Sequence, residues 1–138
     1  MKKIIFPIFI SVAFFLCMRI IFPSPHTLAQ SFFKLYGFEI SETALETAEV
    51  TLPETLTAVY ENYNRLQSAA GLDLTPYLGK TVRRYTYAVK NFPFETNSPV
   101  RANVLIYKGK IIAADLMTVN SDGFMLSPAD PVFSLDKT

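Results

Sequence analysis

Apolar positions along the chain fall into stretches of different period, and each period predicts an element. Ile4 to Met18 reads IIFPIFISVAFFLCM, without a charge, which is a wholly hydrophobic helix rather than one face of a globular one. Beyond Pro23 the period becomes amphipathic. Ser24 and Pro25 suit the N-cap and first position of a helix that carries Leu28, Phe32, Leu35 and Tyr36 on one face and stops at Gly37. Phe38 to Ile40 and Glu49 to Leu52 alternate as short strands do, although the intervening SETALETA could equally form a helical turn. A second helix opens at Pro53 and Glu54 and spaces Leu56, Val59, Tyr60, Tyr63, Leu66 and Ala70 three and four apart. It closes on Gly71-Leu72, the glycine-plus-apolar ending of a Schellman cap.

Thr81 to Val89, Val100 to Tyr107 and Ile111 to Thr118 are rich in β-branched and aromatic residues and are separated by turn chemistry, which predicts a three-stranded antiparallel meander. If Lys108-Gly109 is a two-residue hairpin turn, Tyr107 faces Lys110 and the pairing can be counted outward. Val100, Ala102, Val104 and Ile106 then share a face with Ile111, Ala113, Asp115 and Met117, and this is the face expected to receive the helices. The opposite face, with Arg101, Asn103, Leu105 and Ile112, is mixed. Asp115 is the exception on the inner face: a carboxylate there must be hydrogen-bonded or at the margin, or else the register is off by one residue.

The expected architecture is therefore α+β, with two helices packed on one face of a small antiparallel sheet, after the N-terminal hydrophobic helix. Its order is helix, short strands, helix, meander. Residues 1–23 form the leader, 24–126 the domain and 127–138, SPADPVFSLDKT, a loosely held tail.

Charge changes the reading of the leader. Lys2 and Lys3 precede the apolar run, and extending it through Arg19 to Phe22 gives a helix that nearly reaches the ~30 Å of a bilayer's hydrocarbon. Residues 4–22 are thus read as a signal anchor or a secretory signal cleaved near Ala29, both of which place the remainder outside the cytoplasm, with a buried helix of a soluble protein as the remaining alternative. Of thirteen basic residues three lie in the leader, leaving ten against twelve acidic ones, about −2. Such a balance argues against a nucleic-acid partner. In VRRYTYAVKNFPF (82–94), alternation also puts Arg83, Tyr85 and Tyr87 on one side and Arg84 on the other, so no combined basic and aromatic surface arises.

Candidate chemistry is sparse. His26 is the sole histidine and Cys17 the sole cysteine, so neither a nucleophilic triad, an internal disulfide nor a zinc cluster has its residues, and the five scattered glycines form no phosphate loop. No cofactor or metal is expected. A small hydrolase or ligand-binding enzyme would have to use Asp73 or Asp115, in a concave pocket where one of them meets a second ionisable group. Tyr60, Tyr63, Asn64 and Gln67 make a polar-tipped ridge that could line a groove or simply edge the core. The loop from Asn91 to Pro99, with Phe92 and Phe94, is either a binding tip or a staple over the sheet's end.

YENYNRLQSAAGLDLTPYLGK, RRYTYAVKNFP, VRANVLIYKGKIIAADL and DGFM, in that order over residues 31–126, are similar to a family of bacterial exported or membrane-anchored proteins known as domain of unknown function 4830. Members often carry two glycines before the aspartate where this chain has Ala113-Ala114-Asp115. Small side chains are kept, so close packing is expected there without a need for glycine backbone angles. The resemblance implies no activity, cofactor or partner. At the level of helix plus meander the architecture is also similar to cystatin-like and PepSY modules, which bind peptides or inhibit proteases, an analogy of fold that does not fix function.

The leading expectation is a non-enzymatic module outside the cytoplasm that binds a protein, peptide or envelope component through the sheet's mixed face or the 91–99 loop. The residues expected to carry binding are Arg84, Tyr87, Arg101, Phe92, Phe94 and Asp115.

Overall fold

The computed structural model of the chain describes residues 12–13, 22–120 and 122–137. The hydrophobic leader lies outside these apart from Val12, Ala13, Phe22 and Pro23, and no helix of the described residues is long and apolar enough to cross a membrane.

Among the described residues, helices Pro25–Leu35 and Ala58–Gln67 and a five-stranded antiparallel sheet make an α+β domain. Helix α1 (Pro25–Leu35) begins as its sequence requires: the Ser24 hydroxyl accepts from the Thr27 amide, and Pro25 takes the first position, where a missing N–H costs nothing. Strands β1 (Glu46–Thr51), β2 (Thr81–Ala88), β3 (Val100–Tyr107), β4 (Lys110–Thr118) and β5 (Met125–Leu126) follow one another across the sheet in chain order. Helix α2 (Ala58–Gln67) connects β1 to β2 and runs on into a 3₁₀ turn over Ser68–Ala70. It starts later than Pro53-Glu54 implies, because Thr57 caps it by accepting from the Tyr60 amide, and it ends at Gly71, whose φ of 70° lets Leu72 N–H reach the Gln67 carbonyl. SETALETA forms no helix; it leads into β1, while Ile40 makes a single bridge to Val89.

The β3–β4 hairpin turns on Lys108 and Gly109, both at positive φ (46° and 74°), with Tyr107 opposite Lys110 and Ile106 opposite Ile111 as counted from the sequence. One step further the count fails. Leu105 pairs with Ala113, so Ile112 has no partner and a β-bulge moves every later residue of β4 to the other face. Ala114 and Leu116 therefore join Val104 and Ala102, while Asp115 and Met117 lie beside Asn103 and Arg101. Asp115 is not on the face of Val104; the expected register was one residue off from Ala113 onward.

The helices do not share a face. Helix α1 presses Ala29 and Phe33, both fully buried, onto Tyr85, Tyr87, Ala102, Val104 and Ala114. The alanines let its backbone approach closely, and full burial of a side chain such as Phe33 contributes about 1.5–3 kcal/mol. Its buried stripe is rotated from the expected one: Leu28, Phe32 and Tyr36 flank the core, and Leu35 is 83% exposed. Helix α2 lies on the opposite face, where Tyr60 and Tyr63 join Leu74, Val82, Leu105, Ile112 and Ala113. The bulge is what supplies that second cluster, since it directs the consecutive Ile112 and Ala113 to the same side. On the outer edge of β4, beyond the reach of β5, the Ala114 N–H donates to Oε1 of the fully buried Gln67 at 2.7 Å, so α2 also covers an otherwise open edge.

The segment expected as a loose tail packs back on the domain. Ser127 and Pro128 are buried, and Phe133 sits edge-on to Phe38 at 5.0 Å within a cluster that includes Phe92, Phe94 and Phe124.

Candidate functional site

Helix α2 is only ten residues long, and it covers the half of its sheet face that lies toward the β3–β4 turn. The other half forms the floor of an open groove of about 740 Å³. Antiparallel register arranges that floor in rows across the strands. Arg84 and Leu105 lie beside Ala113 in the first row, under the helix. Glu46, Thr86, Asn103 and Asp115 make the second, and Arg101, Met117 and Met125 the third, furthest from the helix. Val59 and Leu66 of α2 form one wall, and Val119 stands on the far rim.

The second row is a continuous hydrogen-bonded chain. The Thr86 hydroxyl bonds Oδ1 of Asn103 at 2.6 Å, Nδ2 of Asn103 donates to Oδ1 of Asp115 at 2.9 Å, and the Tyr63 hydroxyl donates to Oδ2 of Asp115 at 3.0 Å. Burial pushes the Asp115 carboxyl above its ordinary value of 3.8, against the opposing pull of Asn103, Tyr63 and the Arg84 charge. Burial, and then the neighbouring Asp115, holds the Tyr63 phenol well above its usual range. Both oxygens of Asp115 thus already accept from protein donors. This suits a carboxylate that fixes the floor, not one that is free to take a proton from a substrate or attack it.

Arg84 donates from Nη2 to Oε1 of Glu46 at 2.9 Å, and its buried Nε has no acceptor among the described residues. Arg101, half-buried in the outer row, forms no ion pair among the described residues. The groove is therefore amphipathic: hydrogen-bonded polar floor, apolar rim, and one guanidinium without a counter-charge among the described residues.

Of the six residues expected to carry binding, the structure brings three together, Arg84, Arg101 and Asp115. Tyr87 is fully buried on the other face, where its hydroxyl pairs with Nδ1 of His26 at 2.7 Å and where burial, then Tyr85, raises its pKa to about 12. Phe92 and Phe94 belong to the aromatic cluster, their rings 5.8 Å apart; Phe92 packs back against the core beside Phe38, while Phe94 lies on Phe133 and stays 38% exposed. Asp73 does not line the groove. It is exposed and tied to Thr75 and Asn64, whose hydrogen bonds lower its pKa. Asp73 and Asp115 are thus not in one site; of the two carboxylates offered for a hydrolase, only Asp115 lies in the groove, where Glu46 and Arg84 are also ionisable lining groups. Among the described residues no three of His, Cys, Asp or Glu are grouped as metal ligands would be.

Sequence reasoning passed over Thr86, Asn103, Met117 and Met125. Parity along β3 already places Asn103 beside Arg101 on the mixed face, but its link to Asp115 depends on the bulge.

Residues 32–116 match the family described as Domain of unknown function (DUF4830), and over more than half of its length the chain therefore belongs to that family. Comparison with curated proteins and with solved structures found no match.

Proposed function

We propose that this member of the family is a non-enzymatic binding module held outside the cytoplasm by its leader, and that it receives a protein, peptide or envelope component in the groove beside α2. The observation that carries the reading is the half-covered sheet face. Its floor is set rigidly by the Thr86–Asn103–Asp115–Tyr63 chain, while its rim leaves apolar side chains in solvent. A floor held by paired hydrogen bonds keeps its shape with or without an occupant, as ligand clefts of this size usually do. The placement outside the cytoplasm is supported by Lys2 and Lys3 ahead of the uncharged run and by the helix break at Pro23-Ser24-Pro25. The 91–99 loop is the less favoured surface, because Phe92 packs on Phe38 and Phe94 on Phe133.

Native mass spectrometry of the full chain released from the cell envelope tests the reading. The protein should carry a bound mass that persists in Leu35→Trp, on the opposite face, and disappears in Met117→Trp, which fills the groove floor. A bound mass indifferent to Met117→Trp, or none in the unaltered chain, contradicts it.

A further inference from the structure

The groove has a chemical signature more specific than the general reading above, on which this inference rests. Three of the large hydrophobic side chains left in solvent, Val59 (76% exposed), Val119 (59%) and Met125 (43%), stand around this one groove. Scattered exposed hydrophobics are ordinary, whereas a set that rims one concavity marks a surface meant to be covered. Met117 and Met125, adjacent across β4 and β5, add flexible thioethers that adapt to an apolar chain.

Charge supplies the second half. Of the groove's two acids, Glu46 is engaged by Arg84, and Asp115 has both oxygens capped by Asn103 and Tyr63. Arg101, directly opposite Met117 in the register, is the groove cation left without a partner among the described residues. A guanidinium beside an apolar floor fits a planar anion at the end of a hydrocarbon chain, since it donates two parallel hydrogen bonds to a carboxylate while the chain covers the methionines.

An extended peptide fits less well. The groove lies on the face of the sheet, where the backbone groups of β2 and β3 are spent on the ladders to either side, so it offers no free strand edge to pair with a peptide backbone. We infer that the groove is a site for a small anionic amphiphile, a carboxylate on an alkyl chain, with its head on Arg101 and its chain along Met117 and Met125.

Octanoate is the probe, because a short chain stays in water when the full chain is held in lipid nanodiscs. Calorimetric titration, with empty nanodiscs as the blank, should show one saturable site. Octanol and octylamine should bind about tenfold more weakly or worse, the loss expected when a charge-assisted pair is removed or reversed. Arg101→Gln should remove the preference for octanoate over octanol, and Arg101→Lys should restore part of it. A merely structural role for Arg101 would leave that preference unchanged. Equal binding of the three compounds, or an unaltered preference in Arg101→Gln, overturns the assignment. If octanoate fails to bind while the groove-dependent mass persists in the native spectrum, only the ligand class falls; if both fail, the groove reading falls with it.

Discussion

Replacing Tyr63 by Phe isolates one hydrogen bond of the groove floor, because the ring and its packing on the second core cluster are kept. The lost bond, 3.0 Å from the Tyr63 hydroxyl to Asp115, is made to a carboxyl group that is only 3% exposed, so no solvent takes its place. A bond to an ionised partner contributes about 1.5–3 kcal/mol and one between neutral groups about 0.5–1.5. The cost of Tyr63→Phe should therefore be about 2 kcal/mol where Asp115 is charged and about 1 kcal/mol where it is protonated. The sign follows from the raised carboxyl pKa. Between 3.8 and the higher folded value the native state binds more protons than the unfolded chain, so the stability from this group is complete below 3.8 and declines as pH rises through the folded value. Tyr63→Phe removes a donor from the charged form, moves the folded value further up and steepens that decline. Asp115→Asn, which has no proton to lose, flattens it. Asp73, lowered by its hydrogen bonds, contributes the opposite slope, stability that is lost as pH falls, but equally in all three proteins. Urea unfolding across the acid-to-neutral range gives the comparison. A penalty for Tyr63→Phe that does not change with pH, or a decline that survives in Asp115→Asn, refutes the reasoning.

Gln67→Ala should cost about 1–3 kcal/mol by leaving the Ala114 N–H without its acceptor, and amide exchange at Ala114 should accelerate more than at Val104 in the middle of the sheet. Phe133→Ala removes one ring that is edge-on to Phe38 and Phe92 and stacked on Phe94; it should cost about 1–2 kcal/mol and make the segment after Pro131 sensitive to limited proteolysis without opening the groove.

Much of the architecture is written in local chemistry. Ser24-Pro25 and Gly71-Leu72 set helix ends because capping is decided within a few residues. The Lys108-Gly109 turn placed Tyr107 against Lys110 because a two-residue hairpin leaves no other pairing. What was not legible depends on one residue of register. The bulge at Ile112 carries no glycine or other marker in the sequence, yet it transfers Asp115 and Met117 to the face of Arg101 and sends Ile112 and Ala113 under α2. Without it the mixed face looks too polar to receive a helix, which is why both helices were expected on the other side. The start of α2 was misplaced for a different reason: Pro53 suits a first turn, but Thr57 offers the backbone a hydroxyl acceptor at the right distance. Arg84 and Arg101 are legible as binding candidates and Asp115 as a carboxylate on an apolar face, but their meeting in one groove is a property of the pairing.

The central claim is that the half-covered face, and not the face under α1, meets the ligand. Its most direct test is photo-crosslinking in intact cells from full chains carrying a diazirine side chain at either Val119, on the groove rim, or Leu35, on the far face. A discrete adduct is expected from position 119, abolished by Met117→Trp, and none from position 35. Adducts of equal yield from both positions, or from position 35 alone, would contradict it.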